Sequence, residues 1–579
     1  MIDYYKKIPL ILNKREKILL LPLILLGFFS SLLEMFAIVM ILPVFEIVFS
    51  GNMEKYVNII NTYFYFPDFY EEKISKSFIL VLVLLIFIIK NILLGIINYI
   101  TTKYFFTINY RISNELFNKY LNSNYSFFIT NKSEEFLRKV YHDTDAIKTY
   151  LISTQILFVE ILFVFLLFLF LFITNREITI FVILIFLISF LFYSFLFKKK
   201  IMNLGKIFQD SIGGLQNVVI NGILGIKDII TYNMENWFSG QFKNLSKQTI
   251  FSQFKLVFIT SLPRFYLELI VVMSIIIPMI FFINLNLDIQ KSLPIISLFA
   301  VSLFRMIPSA NKILSSYNNI KFSKVFIDTY TSDLNKINNM NKLKEEKLFD
   351  FQNSLEFKNL KYTYSKSNIE ILKNINLVIK KNKTTLITGP NGSGKSTLLN
   401  IISGLISITD GQILLDSKET KLNRFWAKQL SYVQQNSFLL NQTIRENIVT
   451  DVHRHLNKID EKKLKDIEET LNLNKVFENF PEKLDSNVGY NGEKLSGGQK
   501  QILSIARALY KDGKIIILDE PSSALDEESK NILVNLLFKI KNKKTIIIVS
   551  HELELFNNCT DTVLDVNNGM VKQKFLEKI

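Results

Sequence analysis

Cysteine is almost missing from this sequence. Cys559 is the single one among 579 residues, which excludes an intramolecular disulfide framework. No cleavable signal peptide is evident either. Lys6, Lys7, Lys14, Arg15 and Lys17 precede an apolar run too long for a signal h-region, and no small-residue cleavage site follows. Acidic residues are in the minority, 52 Asp and Glu against 68 Lys and Arg, for a formal net charge of +16. Nucleic-acid binders share such a balance. Here no stacking or groove-reading motif accompanies it, so nucleic acid is not an expected partner. The positive-inside rule of membrane proteins accounts for the charge instead. Apolar residues are plentiful: 49% of the chain is hydrophobic, with 51 Phe and a mean hydropathy of +0.25. That is too apolar for a soluble protein of this size, and the excess lies before residue 310.

Six apolar stretches are long enough to span a bilayer, which takes about 20 residues. They fall near 18–49, 78–102, 151–173, 178–197, 257–283 and 292–310. Lysines and arginines crowd the N-terminal arm and the segments 103–150 and 198–256. The stretch 50–77 balances Lys55, Lys73 and Lys76 with Glu54, Asp68, Glu71 and Glu72. The N-terminus and both long segments are therefore expected in the cytoplasm. Both segments carry helical periodicity, with apolar stripes read at Leu137, Val140 and Tyr141 and at Ile226, Ile229 and Ile230. Short turns near 124–131 and 223–230 are expected to carry motion between the membrane half and the second half. Tyr56, Ile59, Ile60 and Tyr63 predict an amphipathic helix at the outer interface, or an aromatic anchor.

Ionisable residues inside spans are costly, about 2.5–3.5 kcal/mol each at mid-membrane on insertion scales. Glu34, Lys90, Arg264, Glu268 and Arg305 are such residues. Arg264 and Glu268 are spaced to pair on one helix face, and Glu34 can pair with Lys90 or Arg305. Either these are structural pairs, or Lys90, Arg264 and Arg305 line a cationic cavity for an anionic substrate. Three cations against two acids favour the second reading.

After a polar, linker-like stretch at 331–354, residues 355–579 alternate strand-like and helical runs, the pattern of an α/β domain with a largely parallel sheet. Lys383–Ser396 reads KTTLITGPNGSGKS. Gly389, Pro390, Asn391, Gly392, Ser393, Gly394, Lys395 and Ser396 match the phosphate-binding loop G-x-x-x-x-G-K-[ST], with Thr397 next on the helix. Backbone amides and the helix N-terminus receive the polyphosphate of ATP, Lys395 reaches its β- and γ-phosphates, and Ser396 offers a hydroxyl to Mg²⁺. Tyr364 is placed to stack on adenine. Gln435 offers an amide oxygen to Mg²⁺ and the attacking water. Ser496, Gly497, Gly498 and Gln499 open a helix whose amides and hydroxyl suit a phosphate. A buried strand, Ile515–Leu518, delivers Asp519 toward Mg²⁺ and Glu520 as general base. Ser523-Ala524-Leu525-Asp526 follows, and after the strand Thr545–Val549 comes His551, placed for the γ-phosphate.

In this order, the elements resemble the A-loop, Walker A, Q-loop, signature, Walker B, D-loop and H-loop of the nucleotide-binding domain of ATP-binding cassette (ABC) proteins. The preceding spans resemble the fused membrane half of ABC exporters. The resemblance implies a membrane protein with a six-helix all-α transmembrane domain at 1–330, a linker at 331–354 and a P-loop ATPase at 355–579. It also implies a head-to-tail homodimer, ATP on Lys395 of one copy being covered by Ser496 and Gly498 of the other. With Glu520 and His551 both present, both sites of such a dimer hydrolyse ATP. Tyr490 stands where many exporters carry an acid, and Gln434 where proline is common.

Pro263–Glu268, Leu303–Lys312 and Glu34 are most similar to bacterial flippases of lipid-linked oligosaccharides, of the PglK type. That family's cavity arginines match Arg264 and Arg305, and a third matches Lys90, which keeps charge without bidentate geometry. The resemblance implies transfer of a polyprenyl-pyrophosphate oligosaccharide across the bacterial inner membrane, with the stretch Tyr56–Tyr63 near the lipid tail. The alternative is an exporter of a peptide, drug or other lipid. No peptidase segment precedes the first span, which argues only against peptide exporters that process their cargo. A non-transporting membrane ATPase and the degenerate half of a heterodimer are further alternatives, and the intact catalytic set speaks against the latter.

Overall fold

A computed structural model of the chain describes residues 11–40, 73–284, 289–340, 350–364, 369–449 and 459–574. The chain divides into two compact units, Met1–Ser123 with Lys132–Asn339, and Asn124–Asn131 with Met340–Ile579.

The first unit is helical. Helices α1 (Lys14–Val39), α2 (Lys73–Leu121), α5 (Thr144–Thr174), α6 (Arg176–Leu224), α8 (Glu235–Asn284) and α9 (Ile289–Met340) each contain one of the long apolar runs. Short helices intervene: α3 (Tyr125–Thr130), α4 (Ser133–Arg138) and α7 (Ile226–Thr231). Five helices among the described residues are long and apolar enough to cross a membrane. Their outward faces are apolar, as at Leu84, Phe165, Phe195 and Phe265, which suits a hydrocarbon solvent. The part of the first run beyond residue 40 and the stretch Tyr56–Tyr63 lie outside the described residues.

Two expectations change here. α9 continues to Met340, ten residues into the expected linker at 331–354. Tyr330, Asp333, Leu334 and Ile337 are buried there, so packing overrides a polar, Asn-rich composition that reads as linker. The stripe read at Leu137, Val140 and Tyr141 is also inverted. Leu137 and Tyr141 are exposed, while Arg138, Lys139 and Asp143 are buried. The cause is a π-helical turn at Lys139–Asp143, whose wider winding shifts the face that looks inward. Ion pairs satisfy the charges it buries. Lys139 Nζ is 2.6 Å from Asp333, which also accepts a 3.3 Å hydrogen bond from Tyr120. Arg138 lies 3.6 Å from Asp143, whose other oxygen accepts from Thr329 at 3.2 Å and Gln209 at 3.4 Å. In the second stripe only Ile229 is buried, and Ile226 and Ile230 are exposed.

The second unit is a two-sheet α/β structure. The smaller sheet runs β2-β1-β4-β5, all antiparallel, from β1 (Ser354–Thr363), β2 (Glu370–Lys380), β4 (Asp410–Leu415) and β5 (Lys418–Glu419). The larger runs β10-β9-β3-β8-β7-β6. Its strands are β3 (Thr384–Thr388), β6 (Leu430–Val433), β7 (Ile515–Asp519), β8 (Thr545–Val549), β9 (Thr562–Asn567) and β10 (Met570–Lys574). All its pairings are parallel except β9 with β10. β3 and β8 are buried at every residue, the mark of parallel strands covered on both faces. The C-terminal ends of β3, β7 and β8 lie side by side, where α/β sheets bind ligands.

Candidate functional site: a phosphate cradle on the central sheet

The chain leaves β3 through three glycines that no other residue replaces without strain. Gly389 has φ +141°, and a Cβ there would sit 2.0 Å from the Val566 carbonyl of β9. Gly392 has φ +77°. Gly394, at φ +106°, is the N-cap of helix α10 (Lys395–Ile402), and its Cβ would meet Leu372 at 2.8 Å. The loop therefore winds through the left-handed region. Lys395 Nζ donates to the carbonyls of Gly389 at 2.7 Å and Pro390 at 3.0 Å and stands 3.4 Å from His551 Nε2. The buried Ser393 hydroxyl has no hydrogen-bond partner among the described residues. A helix N-terminus, a lysine and an idle hydroxyl around a glycine turn fit a polyphosphate. Tyr364, just beyond β1, lies 3.4 Å from the Thr397 hydroxyl and packs edge-on against Tyr362, so it borders the start of α10, which also carries Ser396.

β7 places the acids. Asp519, its last residue, pairs with Val549 in register. Tyr432 of β6 donates to Asp519 Oδ2 at 3.4 Å, and burial raises the carboxyl's pKa. Glu520 then takes φ +49° and donates its N–H to Val549 O at 2.9 Å. This unusual backbone turns its side chain toward the end of β8. His551 Nε2 lies 3.5 Å from Glu520 Oε1 and 3.2 Å from Asn391 Oδ1. Burial raises the Glu520 pKa, and His551 and Lys395 offset part of that rise. Glu520 Oε1 is buried and makes no hydrogen bond among the described residues, which leaves it an acceptor for a water proton. Gln435 is exposed just after β6. Ser396, Gln435 and Asp519 carry hard oxygen donors of the kind that could hold Mg²⁺ together with phosphate.

Ser496 caps helix α11 (Gly497–Lys511) through a reciprocal pair with Gln499, 3.2 and 2.9 Å long. Gly497 and Gly498 lie against Ala524, so close that a Cβ on Gly498 would sit 3.0 Å from its carbonyl. Ser523–Asp526 thus braces the signature turn, and Asp526 caps helix α12 (Glu527–Ile540) through the Ser529 N–H at 2.9 Å. No hydrogen bond among the described residues joins Ser496 or Gly498 to the phosphate loop. The segment Asn124–Asn131 belongs to this unit, and Tyr125 stands within electrostatic reach of Tyr432.

In the helical unit most of the spanning charges are paired. Arg264 lies 3.0 Å from Glu268 on α8. Arg305 of α9 pairs with Glu34 of α1, and its guanidinium is 5.4 Å from the Phe163 ring. Lys90 lies 4.9 Å from the Phe87 ring, within electrostatic reach of both Glu34 and Arg305. Sequence reasoning passed over three contacts. Glu160, an acid inside the third run, meets Lys312 at 2.5 Å. Asn391 engages His551, and Tyr432 engages Asp519. A carboxylate amid the Phe-rich residues 151–173 was signal enough for the first. The other two depend on strand order.

Comparison with known proteins agrees with this geometry. The family model "ABC transporter" matches residues 372–523, and "ABC transporter transmembrane region" matches 20–308. A solved bacterial Atm1-family ABC exporter with ATP bound superposes with a TM-score of 0.78 at 18% identity, covering 96% of this chain and 95% of that one, which shows the fold. Among curated relatives, the ATP-dependent lipid A-core flippase of Ralstonia nicotianae is 34% identical over 220 residues, 38% of this chain and 37% of the relative. A putative multidrug export ATP-binding/permease protein of Staphylococcus aureus is 36% identical over 222 residues, 38% of each chain. ATP-binding cassette sub-family B member 5 of Mus musculus is 35% identical over 226 residues, 38% of this chain and 18% of its own. The matched stretches span less than two-fifths of these relatives' length.

Proposed function

We infer that the chain, an ABC transporter with membrane and ATPase parts fused, is an ATP-driven exporter that flips a lipid-linked (polyprenyl-pyrophosphate) oligosaccharide. Transfer runs from the cytoplasmic to the outer leaflet of the bacterial inner membrane. The observation that carries this reading is the charge set within the apolar helices. Arg305 and Lys90 gather around the single acid Glu34, leaving a surplus cation where charge is expensive. An anionic headgroup can take over Glu34's role, while a hydrocarbon tail stays in the lipid. Arg264, with Glu268 as its counter-ion, offers a further cation to the same path.

The working unit is a head-to-tail homodimer with N-terminus and ATPase in the cytoplasm. Lys395, the loop amides and α10 bind the triphosphate, and Tyr364 holds adenine. Ser396, Asp519 and Gln435 would hold Mg²⁺, which would supply neutralisation of developing phosphate charge. Glu520 takes the proton of the attacking water, oriented with Gln435, and His551 contacts the γ-phosphate. Closure over two nucleotides tilts the membrane helices, and hydrolysis resets them.

Reconstitution into vesicles tests the cargo, with ATP-driven flipping of a pyrophosphate-linked oligosaccharide measured against a peptide control. Arg264→Ala with Arg305→Ala is expected to abolish flipping and spare basal ATPase. An equal fall in both activities would remove the cavity reading. Transport of the peptide alone would favour export of a peptide, drug or other lipid.

A further inference from the structure

α6 and α9 are fastened together where the apolar run of α6 gives out. The Ser194 and Tyr317 hydroxyls are 2.8 Å apart. Tyr193 accepts a 2.6 Å hydrogen bond from Asn318 and donates at 2.9 Å to Ile259 O. Below this clasp, Gly205 lets the Phe322 carbonyl come within 2.7 Å of where a Cβ would be. The two helix faces are therefore held in one register. One helical turn past Ser194 stands Lys198, and one turn past Tyr317 stands Lys321, so both lysines extend the clasped faces.

The pairing is electrostatically unfavourable as it stands. Lys321 is partly buried, and burial together with Lys198 and Lys324 lowers its pKa. Neither Lys198 nor Lys321 has a carboxylate partner among the described residues. Elsewhere in this unit Lys139 is answered by Asp333 and Lys148 by Asp145. Lys321 Nζ lies 5.2 Å from the Tyr317 ring of the clasp, with Lys198 within electrostatic reach, and two neighbouring ammoniums without a counter-ion are the arrangement an anion relieves. The surroundings say which kind of anion. Leu191, Phe192, Phe195 and Leu196, immediately before Lys198, are exposed, so the lysines sit at the edge of a lipid-facing apolar surface. An amphiphile can satisfy both features at once.

We propose that Lys198 and Lys321 form a binding site for the phosphate of an anionic lipid headgroup, at the bilayer edge between α6 and α9. The occupant is a resident lipid, so the site is independent of which cargo is carried. By bridging the two helices the headgroup steadies α9, the helix that also bears Arg305.

The test uses the full-length protein, purified and exchanged into phosphatidylglycerol or phosphatidylcholine. Retained lipid is counted by native mass spectrometry, and thermal stability is read with and without added inorganic phosphate. Lys198→Gln with Lys321→Gln is expected to lower retained phosphatidylglycerol by on the order of tenfold, since each basic residue near an anionic surface contributes several-fold. Lys199→Gln with Lys200→Gln, the same change in net charge, should alter retention less than about twofold, because both lie off the clasped face and isolated exposed charges contribute little. Lys198→Gln alone, at an exposed position, should show an intermediate loss without unfolding. Equal losses in the two double variants would reduce the effect to general surface charge and overturn the proposal. Stabilisation by inorganic phosphate equal to that by phosphatidylglycerol would overturn it in favour of a soluble anion.

Discussion

Glu520, the proposed general base, is set apart in three ways. Its φ of +49° aims it, its burial raises its pKa, and its Oε1 makes no hydrogen bond among the described residues. Glu520→Gln is expected to bind ATP normally and lose about 10²–10⁴-fold in turnover, read as phosphate release against nucleotide binding. Undiminished release would identify another base. The pH dependence has a definite sign. A raised carboxyl pKa keeps the proton on to higher pH, and only the ionised form can act as base. ATPase activity should therefore fall, as pH drops, from a value above the ordinary carboxylate range. What little activity Glu520→Gln retains should lack that limb. The acid was legible in the sequence as the residue after a buried strand. Its backbone conformation was not, because φ at the end of β7 depends on the hydrogen bond to Val549 in β8.

Among the elements, the glycine loop and the π-helical turn make opposite demands on side chains. Gly389→Ala places a methyl group on the Val566 carbonyl in a left-handed backbone. The expected cost is about 1–3 kcal/mol in ATPase-domain stability, with loss of nucleotide binding, seen by thermal shift with and without ATP. At the π turn the buried Lys139–Asp333 pair closes α9 onto the Lys139–Asp143 segment. Lys139→Met alone strands Asp333 and should cost about 3–5 kcal/mol. Adding Asp333→Leu should recover most of that loss in thermal unfolding. Failure of the double variant to recover would mean that Lys139 matters through Glu135, 3.1 Å away. The loop was legible because its eight residues are contiguous. The turn was misread because helical periodicity assumes 3.6 residues per turn, and one wide turn put Leu137 and Tyr141 outside and their charged neighbours inside.

For the whole molecule, the proposed head-to-tail dimer would build each nucleotide site from Lys395 of one copy and Ser496 and Gly498 of the other. That makes complementation a sharp test. Lys395→Ala and Gly498→Asp homodimers should each be inactive. A mixed dimer collects both defects in one site and leaves the other whole, so mixing should restore trapping of one nucleotide per dimer. Sites built within one chain would show no restoration.

The motif order, the six apolar runs and the split into a helical half and an α/β half were determined by sequence alone. Each is a local pattern in which length, periodicity or a contiguous string of residues decides backbone form. The same holds for Arg264 with Glu268, four apart on one helix. Tertiary structure alone decided that Arg305, not Lys90, takes Glu34, that Glu160 answers Lys312, that His551 meets Asn391, and that α9 runs on to Met340. Those contacts join residues far apart in the chain. Which charge finds which partner follows from how helices cross and strands line up, and no spacing along the chain encodes that.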